Sequence, residues 1–120
     1  MKSIKTLLLG CLFCAFALSA CQKTEEKTDS SIANTTWAAA YNAHTLWIKF
    51  TSKSDFMEYM GDAGGNPAST GISYGTYSYS NNKVMFLTHD STSPFDFATI
   101  NNEVLTLTYK SGLQRTFIKK

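Results

Sequence analysis

Few side chains in this 120-residue chain could do chemistry, and they do not gather into a reacting set. Its two histidines are His44 and His89, and the carboxylates worth weighing against them are Glu58, Asp62 and Asp90. His89, Asp90 and Ser91 supply the residue types of a Ser-His-Asp triad. A triad needs three groups within hydrogen-bond reach of one another beside an oxyanion hole, whereas adjacent strand residues point to opposite faces. No two of the histidines and acids show a familiar metal-ligand spacing. Neither G-x-x-x-x-G-K-S/T nor G-x-G-x-x-G occurs, and "GDAGG" at 61–65 lacks the strand-to-helix context that holds phosphate. The expectation is no catalytic residue, no metal and no cofactor, with the histidines at solvent-facing turns and the acids solubilising loop ends. Trp47, Tyr74, Tyr77 and Tyr79 are the candidates for stacking on a flat ligand, with core filling as the competing expectation.

Cys21 stands apart from this set. Lys2 and Lys5 make a basic start, residues 7–18 are uncharged and mostly apolar, and Ser19 and Ala20 are small residues just before the cysteine. That order is the layout of a secretory signal. Its apolar part is about 12 residues, against the roughly 20 that a helix needs to cross a bilayer, so removal is expected rather than a permanent span. Leu18, Ser19, Ala20 and Cys21 resemble the lipobox of bacterial lipoproteins. That resemblance implies a diacylated sulfur on Cys21, cleavage before it, and acylation of the new amine. Several acyl chains on one residue make a durable anchor where a single chain binds only marginally. Cys11 and Cys14 would leave with the signal, so their C-x-x-C spacing implies no redox role, and a lipidated Cys21 leaves the domain neither disulfide nor thiolate ligand.

Loss of the signal also changes the meaning of the charge. The full chain has 11 basic and 9 acidic residues, and Lys2 and Lys5 leave with the signal, so nine face nine. The basic excess therefore points to no nucleic-acid partner. Residues 22–34 hold one large apolar residue, Ile32, and are predicted to be a flexible tether, about 20 Å end to end. In the lipoproteins that "LSAC" resembles, an Asp after the cysteine retains the protein at the inner membrane. Gln22 occupies that place and implies the outer membrane. "QKTEE" is similar to the surface-export tag of Bacteroidetes-type lipoproteins, with Thr24 interrupting it, and periplasmic and cell-surface display both stay open.

The elements that must position any site lie in residues 35–120, which carry 14 of the 16 aromatic residues. Apolar alternation of period two predicts short strands near 35–41, 45–51, 55–60, 72–80, 83–89, 95–100, 103–110 and 113–119. Leu46, Ile48 and Phe50 share one parity, and Leu113 and Phe117 bracket Arg115 on one parity. In 55–60, Phe56 and Met60 compete with Met57 and Tyr59 for the inward face. Asn and Gly between the runs suit tight hairpins. "GDAGGNPASTG", 61–71, reads as a mobile loop or lid, and Gly75 as a bulge or bend.

Eight sequential hairpins without a helix predict an all-β, up-and-down antiparallel meander closing into a small barrel. "NTTW", "GTYSYSNNKVMFL" and "LTLTYKSG" resemble the lipocalin-like domain of small bacterial lipoproteins. The expected organisation is a signal peptide at 1–20, a lipidated cysteine and tether at 21–34, and a lipocalin-like barrel at 35–120. A barrel this small has room for little beyond its own side chains, and mainly Ala39, Gly75 and Ala98 would leave space inside. The expected role is a non-enzymatic, membrane-anchored module holding a small apolar or aromatic ligand at its open end near 61–71. The alternative is a solid barrel docking on another protein of the cell envelope.

Overall fold

A computed structural model describes residues 31–120; the expected signal, the lipobox Leu18, Ser19 and Ala20, Cys21 and most of the tether lie outside the described residues. The strands are β1 (Thr35–Tyr41), β2 (His44–Phe50), β3 (Asp55–Gly61), β4 (Pro67–Ser80), β5 (Lys83–His89), β6 (Phe95–Asn101), β7 (Val104–Tyr109) and β8 (Gln114–Lys119). Every neighbour is antiparallel, and the order β1 to β8 closes on itself as a barrel. Among the described residues there is no helix.

Local chemistry explains the turns. Asn81 and Asn82, both at positive φ (51° and 60°), link β4 to β5 in two residues, a geometry matched to the right-handed twist of the strands. Asn42 and Asn102 take positive φ in the two-residue turns that join β1 to β2 and β6 to β7. These turns hold the register, and the register sends one parity of each strand inward. Trp37, Ile48, Phe50, Phe56, Tyr77, Val84, Leu105, Leu107 and Phe117 accordingly fill the interior, all but excluded from solvent. The competition within β3 goes to Phe56, whose ring packs against Phe86 at 4.9 Å and Phe95 at 5.7 Å between centroids.

Two expectations need correction here. Ile32 is buried in the core rather than belonging to a spacer. The Asn34 N–H donates to Phe50 O at 2.6 Å, and the Thr35 hydroxyl donates to Ile32 O while accepting the Trp37 indole N–H at 2.9 Å. These bonds fold residues 32–34 across the barrel end, which lets one apolar side chain in a polar run bury itself. The glycine-rich 61–71 stretch is also not a long loop. Residues 67–71 begin β4, and only 62–66 form a turn.

Gly75 lies beside a register shift between β4 and β5, as a bend there requires. A Cβ at this position would overlap Thr88 O and come within 2.5 Å of the Phe56 ring. Gly75→Ala is therefore expected to destabilise the barrel by about 1–3 kcal/mol, the usual range for overpacking. Ile32→Ala should cost about 2 kcal/mol, near the low end for emptying a buried aliphatic site, because Ile32 sits at the rim. Urea denaturation monitored by tryptophan emission measures both; an Ile32 substitution without effect would return that residue to the tether.

Candidate functional site

The hydrogen-bond ladder is complete around the barrel only at the end where the chain enters. Between β1 and β8 it comprises Trp37–Lys119 and Ala38–Ile118 and then stops. Between β5 and β6 it comprises Lys83–Thr99, Val84–Ala98 and Met85–Phe97 and stops likewise. Both seams open toward the end that carries the 42–43, 62–66, 90–94 and 110–113 connections. Side chains take over where the ladder ends. Continuing the β1–β8 register would set Tyr41 opposite Arg115, and there the guanidinium lies over the Tyr41 ring at 4.8 Å. At the other seam the Phe95 N–H donates at 3.1 Å to His89 Nδ1.

Splaying at this end leaves a pocket of about 360 Å³, within the size range of small-molecule sites. Its apolar wall comes from Tyr41, Leu46, Met60, Phe95, Tyr109 and Leu113. Two opposite charges share it, Glu58 from β3 and Arg115 from β8. Glu58 follows the inward parity of Phe56 and Met60, and Arg115 that of Phe117, so the barrel geometry leaves neither free to turn outward.

His89 stands behind Glu58, its side chain only 2% exposed and its ring 4.3 Å from Phe95 and 5.1 Å from Phe56 between centroids. The solvent-facing turn expected for it is corrected by the register shift in β5, which swings the ring inward. Because Nδ1 accepts a backbone N–H, the proton of the neutral ring belongs on Nε2, which faces Glu58 Oε1 at 3.3 Å. The approach is within ion-pair distance but off-line for a hydrogen bond, and Nε2 has no other partner. With Nδ1 accepting the Phe95 N–H and Nε2 carrying the proton, the neutral ring has no lone pair free to take a proton from a nucleophile. Asp90 points the other way and accepts the Tyr74 N–H at 2.6 Å, as alternation along a strand predicts. Glu58 is likewise corrected, from solubilising a loop end to lining the pocket. Arg115 has no carboxylate partner among the described residues, and its buried Nε has no acceptor.

The four aromatic candidates do not meet. Tyr77 is buried, edge-on to Phe50 at 4.8 Å, with its hydroxyl donating to Ser52 O; burial, with Asp55 nearby, pushes its phenol above 10.0. Tyr79 packs against the same core and reaches Asn82 Oδ1. Tyr74 is exposed on the outer face. Trp47 is also on the outer face, but buried: Tyr59 stacks beside it at 6.5 Å, and the 62–66 turn folds over both. The Trp47 indole N–H donates to Asp62 O at 2.9 Å and the Tyr59 hydroxyl to Gly65 O at 2.7 Å. That turn covers the outside of the barrel and contributes no side chain to the pocket wall, which corrects the expected lid. Thr92, Ser93, Pro94, Ser111 and Leu113 border the mouth instead. Inward parity at Arg115, and at Glu58 once Phe56 and Met60 are taken as the inward pair, is the signal the sequence carries.

Asp62 holds the turn closed. Its carboxylate accepts from the Asn66 side-chain amide at 3.0 Å and from the Asn66 and Gly64 N–H groups at 2.9 Å, and these bonds, the Asn66 side chain foremost, lower its pKa below 3.8. A lowered folded-state pKa means that the contribution is present above 3.8 and is lost as pH falls through the lower folded value. Acidification is expected to shift the Trp47 indole N–H resonance with a midpoint below 3.8, and Asp62→Ala to remove that titration and leave the indole solvent-accessible at every pH. Two-dimensional NMR reads both. No family model, no curated protein and no solved structure matches the chain, so the pocket's own chemistry carries the functional reading.

Proposed function

We propose that the barrel is a non-enzymatic binding module that takes a small ligand with an apolar or aromatic body into the pocket between β1, β3, β6 and β8. The observation that carries this reading is the pocket itself. The chain fills the rest of its interior with large side chains yet leaves about 360 Å³ at one end, walled by Tyr41, Phe95 and Tyr109. An engineered cavity of about 150 Å³ already admits benzene, so the space suits a ring with substituents. The occupied lone pair of His89 supports binding rather than turnover.

In the same reading the module is a lipoprotein, fastened through acyl chains on Cys21 to the outer membrane and displayed on its periplasmic or outer side. The "LSAC" sequence and the apolar run before it support this. A docking role on another envelope protein is the second reading; Leu87, Tyr74 and Met85, exposed at 63%, 56% and 39% on the outer face of β4 and β5, favour it.

Titration of the full chain with indole, followed by amide NMR, tests the binding reading. Shifts are expected at Tyr41, Met60 and Tyr109 and not at Tyr74, and Leu46→Trp, which fills the pocket, should abolish them. Shifts confined to Tyr74, Met85 and Leu87 would favour docking. Metabolic labelling with a fatty-acid probe tests the anchor: wild type should take up label and Cys21→Ser should not, and equal uptake would remove the anchor.

A further inference from the structure

We infer that the ligand is amphoteric: a small molecule whose apolar or aromatic body carries an anionic group for Arg115 and a cationic or hydrogen-bond-donating group for Glu58. The inference rests on the binding reading above and specifies the chemistry of that same pocket. Opposite charges inside a small barrel ordinarily pair, since each charge taken from water without a partner is left poorly solvated. Here they line one pocket without pairing. Each also has a different neighbour. The Tyr41 ring carries the guanidinium on the β1–β8 seam, and the His89 Nε2–H sits 3.3 Å from one Glu58 oxygen.

What each group lacks defines what the ligand brings. Arg115 lines the pocket with no carboxylate beside it among the described residues, and a ligand carboxylate would give its guanidinium charge-assisted hydrogen bonds. Glu58 meets His89 through one oxygen, which leaves the other as an acceptor at the pocket wall. His89 itself cannot satisfy that oxygen, because its remaining nitrogen is committed to the Phe95 N–H. A purely anionic ligand would answer Arg115 and face Glu58 with like charge; a purely cationic one would do the reverse. A molecule carrying both groups meets both walls while Phe95 and Tyr109 cover its body.

The test uses four probes on one skeleton, each titrated calorimetrically into the full chain: phenylalanine, 3-phenylpropionate, 2-phenylethylamine and 2-phenylethanol. Phenylalanine is expected to bind at least tenfold more tightly than any of the other three. Arg115→Met should remove the advantage of phenylalanine over 2-phenylethylamine, Arg115→Lys should restore part of it, and Glu58→Gln should weaken phenylalanine while leaving 3-phenylpropionate unchanged or tighter. Amide NMR spectra of each variant confirm the fold. Equal affinity for all four probes, or affinities indifferent to both substitutions, would overturn the amphoteric ligand while leaving the binding module standing. No binding by any probe at millimolar concentration would overturn the module as well.

Discussion

Backbone hydrogen bonds girdle this barrel completely at one end and incompletely at the other, and that asymmetry decides where anything can bind. A closed ladder draws strands to about 4.8 Å and leaves an eight-stranded interior just wide enough for its side chains. Where the β1–β8 and β5–β6 ladders stop, the wall is held by side chains instead: the Arg115 guanidinium on Tyr41, and the His89 ring on the Phe95 N–H. Side chains reach farther than backbone bonds, and the extra width is the pocket.

The closed end compensates for the open one. Ile32 caps it from outside the strands, and Phe50, Phe56, Tyr77 and Phe117 pack it with rings whose polar handles, where present, are satisfied by backbone carbonyls. Small domains have little core to spare. A continuous run of packed rings, with Gly75 admitting the Phe56 ring to close range, lets the open end hold charged groups without relying on them for stability.

On the outer surface the 62–66 turn solves a separate problem. Trp47 and Tyr59 fall on the solvent parity of β2 and β3, and two large rings there would make an adhesive patch. The Asp62 carboxylate gathers the turn over them, and the backbone carbonyl of the same residue accepts the indole N–H. The glycines supply reach, and the acid supplies closure.

The number of strands, their approximate limits and the all-β class were legible in the chain, because period-two alternation and Asn-rich turns are local signals that do not depend on distant partners. The burial of Phe50 and Phe117 followed from the same alternation. Parity also placed Arg115 between two inward residues, yet it could not say that Glu58, 57 residues earlier, would share its pocket without pairing with it. Nor could it tell that Trp47 would lie under a turn, that Ile32 would leave a polar run for the core, or that a shift in β5 would turn His89 inward. Each of these depends on which strand lies beside which and where a ladder ends. Those are properties of closure, and they exist only once β8 has come round to β1.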